Sequence, residues 1–100
     1  MDNYEFLFGE AEEEAHDSVS IVYVESIRRY VFEHIETGSM LRGILENDWQ
    51  KAILNMHPSF RIDELKDLTR FVLSAVPAQA RGSAAAVDEW LAARAEGVTA

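Results

Sequence analysis

The chain has 100 residues, no cysteine, 48 % hydrophobic residues and 18 acidic against 9 basic side chains, for a formal net charge of -9. That length fits one domain with a modest core, and the missing cysteine excludes disulfides and thiolate metal sites. The acidic balance argues against direct contact with nucleic acid or anionic lipid, where Lys and Arg do the neutralising, and favours basic proteins as partners.

The opening, residues 1–17, holds seven of the acids and no Lys or Arg, so it carries -7 of the net charge. The other 83 residues carry only -2, with 11 acids against 9 bases. Tyr4, Phe6 and Phe8 are threaded through this stretch and alternate as in a strand. Asp2 followed by Glu5, however, has the spacing of a capping box. The preferred expectation is a helix or ordered arm that lays its aromatics onto the rest of the fold. The start lacks the basic region of a signal peptide, and no apolar run approaches the ~20 residues that span a bilayer. A soluble protein of the bacterial cytoplasm is therefore expected, with no membrane association.

Four helices are expected after the opening. The first runs from about Val19 to Ile35, capped by Asp17 or Ser18, with Val24, Ile27, Val31 and Ile35 at helical spacing. Its β-branched start leaves a strand open there. Gly38 is expected to end it through a left-handed conformation. The second, about Met40 to Asn55, is capped by Ser39 and turns Leu41, Ile44, Leu45, Trp49, Ala52 and Ile53 inward, with an Arg42–Glu46 pair on its flank. Pro58 follows. The third, about Ile62 to Val76, buries Leu65, Leu68, Val72, Ala75 and Val76 and stops before Pro77. The last starts at Ser83, presents Val87, Trp90, Leu91 and Arg94, and closes at Gly97. The segments are thus an acidic opening (1–17), a helical domain (18–97) and a short tail (98–100). The expected fold class is all-α: a small four- or five-helix bundle with an acidic, aromatic-containing N-terminal arm.

Candidate chemistry is sparse. Glu13 and His16 have the Glu-x-x-His spacing of di-iron bundles, but those need two such pairs and two more glutamates. Ser18, Ser39 and Ser83 sit where helix caps belong, with no activating base beside them. The glycines are scattered and form no phosphate loop. No catalytic, metal-binding or cofactor-binding residue is expected, and the chain reads as a non-enzyme.

Asp48 stands out, because a single continuous second helix would place it in the middle of the apolar stripe. A buried carboxylate needs a partner. Either it accepts N–H bonds from a helix start near Ser83 or pairs with Arg81 or Arg28, or Asn47, Asp48 and Trp49 form an exposed contact patch. Trp49, Trp90 and Phe71 read as core anchors, and Arg28 and Arg29 as solvated.

Tyr30, Gly38-Ser39, Leu41-Arg42-x-x-Leu45-Glu46-Asn47-Asp48, Ala52, the alanine or proline near Ala75 to Pro77, Gly82-Ser83, Val87 and Trp90-Leu91 together resemble a family of short bacterial and phage-encoded proteins found on mobile elements. The likeness covers residues 30 to 91 and leaves out the acidic opening. The chain departs from it with Glu36-Thr37, where prolines are expected, and with Trp49, where an aliphatic residue is usual. The resemblance implies a phage or mobile-element protein, and its size and charge are similar to those of anti-CRISPR proteins. The expected function is non-catalytic inhibition by binding a basic surface of a host nucleoprotein complex, most specifically a type I CRISPR surveillance complex. Tyr4, Glu5, Phe6, Phe8, Glu12, Glu13, Glu14 and Asp17 are the expected contact residues, with Asn47 and Asp48 as further candidates. The alternative is a homodimeric structural or regulatory module.

Overall fold

The computed structural model describes the backbone of residues 3–99 and the side chains of residues 3–93. Among the described residues there are six α-helices and no strand: α1 (Asn3–Glu14), α2 (Ile21–Glu33), α3 (Ser39–Leu45), α4 (Trp49–Leu54), α5 (Ile62–Ala75) and α6 (Ala84–Thr99). The all-helical class agrees with the sequence, while the helix count exceeds the four or five expected.

The acidic opening is a helix of the common core. Phe8, Ala11 and Ala15 recur at spacings of three and four, and all three are buried in one cluster with residues of α2 to α6. Phe8 is 1 % exposed. Its ring meets Phe32 and Phe71 edge to face, each at 5.6 Å between centroids, and the Arg28 guanidinium lies 4.6 Å above its centroid. Arg28 is therefore half-buried and paired with Glu12 and Glu25, contrary to the solvated position expected for it. Arg29 is exposed as expected. The Asp2 half of the capping box lies outside the described residues.

α2 begins later than the pattern suggested. Its cap is Ser20, whose Oγ accepts the Val22 N–H at 3.3 Å. It also ends earlier. His34, not Gly38, takes the left-handed conformation (φ 55°). The His34 ring is held there by stacking 4.7 Å from Trp90 and by a 2.6 Å hydrogen bond between Nδ1 and the Trp90 carbonyl. Gly38 instead precedes α3 in an extended conformation, so Ser39 is the first helical residue rather than the cap.

The expected second helix is two helices. Asn47 has φ 62°. The Asp48 N–H donates to the Gly43 carbonyl at 2.8 Å, and the Asn47 N–H donates to the Ile44 carbonyl at 3.1 Å. This is a Schellman stop, and Asn tolerates its left-handed position better than most residues. Asp48 then starts α4, its Oδ1 accepting the Lys51 N–H at 3.0 Å. The sequence spacing of Leu41, Ile44, Leu45, Trp49, Ala52 and Ile53 runs on across the break, which is why periodicity alone does not reveal it. Of the α4 residues expected inward only Ala52 is buried, while Trp49 and Ile53 are exposed.

α5 and α6 follow the expectation more closely. α5 buries Leu65, Leu68, Phe71, Val72 and Ala75 and gives way to extended Val76 before Pro77. Ser83 caps α6 by accepting the Ala86 N–H at 3.1 Å. α6 buries Val87, packs Trp90 and Leu91 against the core and continues past Gly97. The Arg94 side chain lies outside those described.

Candidate binding surface

Tyr30, Leu45, Gly82 and Trp90 build the fold. The buried Tyr30 hydroxyl donates to the Ala80 carbonyl at 2.7 Å, and the Trp90 indole N–H donates to the Tyr30 carbonyl at 2.9 Å. The Gly82 N–H donates to the Leu45 carbonyl at 2.7 Å. Burial pushes the Tyr30 phenol well above its ordinary pKa, so it stays a neutral donor.

Arg42 is the centre of an ionic cluster that ties four segments together. It pairs with Glu36 and Glu46, both at 2.6 Å, and with Asp88 on α6. Lys51 on α4 reaches the other oxygen of Glu46 at 2.6 Å. Burial works against the Glu46 charge, but the Lys51 ammonium and the Arg42 guanidinium outweigh it and hold the carboxyl below its usual pKa. Glu46, Asp88 and Glu36 in turn raise the Arg42 pKa. These partners bind the Arg42 charge within the cluster.

The histidines lie apart. His16 contacts exposed Asp17, His34 stacks on Trp90, and His57 bonds Ser59. No group of three His, Cys, Asp or Glu side chains that could hold a metal occurs among the described residues. Among the described residues no helix is long and apolar enough to cross a membrane.

Two surfaces have features that packing does not use. The first is the outer side of α1. Its inner face is Phe8 and Ala11, while Glu5, Phe6, Leu7, Glu10, Glu13, Glu14 and Asp17 are exposed. Phe6 is 55 % exposed. Glu12, Glu13 and Glu14 end α1, and its last turn holds no base. Acids at a helix C-terminus oppose the helix dipole, at roughly 0.3–1 kcal/mol each. Glu13 and Glu14 therefore weaken the helix that carries them, whereas Glu12 is paired with Arg28.

Of the sequence-predicted contact residues, this surface brings together Glu5, Phe6, Glu13, Glu14 and Asp17. Phe8 belongs to the core, so its ring is not available to a partner. Tyr4 is half-buried against Trp90, at 6.2 Å edge to face, and its hydroxyl accepts from Gln79. Glu12 is half-buried and neutralised by Arg28. Asn47 and Asp48 belong to the α3–α4 turn, where backbone geometry accounts for both. Asp48 does cap a helix start, as one reading of it required, but the helix is its own α4.

The second surface is a groove of about 520 Å³ between α4 and α5. Trp49, Ile53, Ile62 and Leu73 line it and are all exposed, so Trp49 is not the core anchor expected. The groove continues past Trp49, Thr69 and Leu73 toward Asn47 and Arg81. Lys66, Arg70 and Arg81 line the two stretches, and no acid does. Sequence reasoning missed this groove. Its signal was on α5, where Ile62, Lys66, Thr69 and Leu73 form a second row beside the core stripe, more apolar surface than one buried face needs. Comparison with protein-family models, curated proteins and solved structures finds no match to this chain.

Proposed function

We propose that the protein acts without catalysis, by docking the outer face of α1 onto a basic surface of a partner protein. The observation that carries this reading is the division of α1 into two faces. Phe8 and Ala11 hold the helix to the core, while Phe6, Leu7, Glu10, Glu13 and Glu14 remain exposed, with exposed Asp17 in the turn that follows and no Lys or Arg among them. Charges that weaken their own helix are a cost to folding, and a binding role explains why the chain carries them.

The division of labour follows from interface physics. The acids speed encounter with a basic patch and fix its orientation, whereas Phe6 and Leu7 supply the apolar contact that gives affinity. Phosphate would be repelled by the same face, so the partner is a protein surface and not nucleic acid itself. The partner to test first is a host nucleoprotein complex, specifically a type I CRISPR surveillance complex, chosen by analogy of the chain's size and acidic charge with those of small phage inhibitors. Its basic DNA-binding surface would then be covered by α1, blocking DNA recognition.

The test is a pull-down from the bacterial host with the full chain as bait, at low and high salt. The reading predicts capture of a basic, nucleic-acid-handling complex that weakens as salt screens the charges. Absence of any such partner at low salt contradicts it.

A further inference from the structure

The basic-rimmed apolar groove between α4 and α5 has the opposite character to the outer face of α1. On α1, Leu7, Glu10 and Glu14 fall in one row at spacings of three and four, with Phe6 and Glu13 in the next. That surface is apolar toward the N-terminus and acidic toward the C-terminus. The groove offers Trp49, Ile53, Ile62 and Leu73 as an apolar floor. Lys66 and Arg70 flank it, Arg70 in a loose 3.4 Å pair with Asp67, and Arg81, which donates to the Val76 and Leu73 carbonyls and keeps its charge, stands at its far end.

The two surfaces also lie on one side of the molecule. α1 packs on α5, and Glu14 and Arg70 line the same crevice between them. Arg70 also lines the α4–α5 groove. The exposed ridge of α5 thus separates α1 from the groove, with Arg70 bordering both. A two-fold axis over that ridge would bring the α1 of each copy across the groove of the other.

We propose that the occupant of the groove is the α1 outer face of a second copy, in a reciprocal dimer. Leu7 and Phe6 cover the exposed apolar residues of α4 and α5, and Glu10, Glu13 and Glu14 meet Lys66, Arg70 and Arg81. Groove-to-groove pairing would instead gather the cations of both copies at one interface, where like charges oppose association. Because the dimer covers the face assigned above to partner docking, a basic partner and a second copy compete for α1. That consequence rests on the proposed function. The dimer itself is read on the chain alone, so a missing host partner and a missing dimer are separate results.

Sedimentation velocity of the full chain tests this with two surface charge reversals, each checked for folding by circular dichroism. One variant carries Lys66→Glu and Arg70→Glu; the other carries Glu10→Lys and Glu14→Lys. The wild type is expected to sediment at twice the monomer mass at low salt and to dissociate at high salt. Each variant alone is expected to be monomeric, because its α1 and groove then have the same sign. Mixed, the two restore both contacts and form a one-to-one dimer. A wild type that stays monomeric at low salt overturns the proposal. So does a dimer that survives the Glu10→Lys and Glu14→Lys change, or a mixture that stays monomeric.

Discussion

A methyl group placed on Gly43 would lie 2.5 Å from the backbone nitrogen of Ala52 and 2.9 Å from its Cα. Both obstacles are main chain, so no side-chain rotation relieves the contact. α3 and α4 approach this closely because neither Gly43 nor the fully buried Ala52 carries bulk between them. Gly43→Ala is therefore expected to destabilise the protein by about 1–3 kcal/mol or more, as overpacking against an unyielding neighbour does. A urea titration checks it: the midpoint falls while the slope stays unchanged.

Glu46 links the same two helices through charge. A carboxylate held below its ordinary pKa binds its proton more weakly in the folded than in the unfolded chain. Its stabilisation is complete above the unfolded value of about 4.3 and is lost as pH falls through the lower folded value. Glu46→Gln is expected to cost about 1.5–3 kcal/mol at neutral pH, the range for hydrogen bonds to charged groups. The gap between wild type and variant should then narrow in acid. Unfolding curves from pH 7 down to about 3 measure it, and a constant gap would contradict the assignment.

The turn between α3 and α4 separates backbone roles from binding roles. Asp48→Ala removes the cap of α4 and is expected to lower stability by about 0.5–2 kcal/mol. Asn47→Gly keeps the left-handed conformation available and should change stability little, whereas Asn47→Val should be clearly worse, because a β-branched residue resists that conformation. Thermal melts rank the three. Capture of a partner that docks through α1 should not change with any of them.

Tyr30 ties α2 to the loop before α6. Tyr30→Phe leaves the buried Ala80 carbonyl without its donor and is expected to cost about 1–3 kcal/mol. Asp48→Ala combined with Tyr30→Phe should give the sum of the two single effects, because they share no hydrogen-bond partner. Equilibrium unfolding of the single and double variants measures both expectations.

Helix class and much of the core were legible because Leu65, Leu68, Val72 and Ala75, and the cap at Ser83, follow local rules of period and capping. The break at Asn47-Asp48 was hidden by apolar spacing in the sequence that runs on across it. Its signal was chemical: an Asn suited to the left-handed stop, followed by an Asp suited to the next cap. The end of α2 was misplaced because the stop depends on Trp90, 56 residues away in sequence. Periodicity likewise identifies apolar residues but not which of them find cover. Phe8 and Trp49 therefore exchanged expected places, the first buried under α2 and α5 and the second left at the groove.

α1 holds the fold with one face, and its proposed role is to bind a partner with the other. Deleting residues 1–17 cannot separate these roles, because it also removes Phe8, Ala11 and Ala15 from the core. The direct measurement compares the wild type with a chain carrying Glu10→Gln, Glu13→Gln, Glu14→Gln and Asp17→Asn, following melting temperature and salt-sensitive capture of the proposed basic partner in the same preparation. The account predicts a melting temperature equal to or above wild type, since acids near the C-terminus of α1 are removed, together with loss of capture. Undiminished capture by the neutralised chain would contradict it.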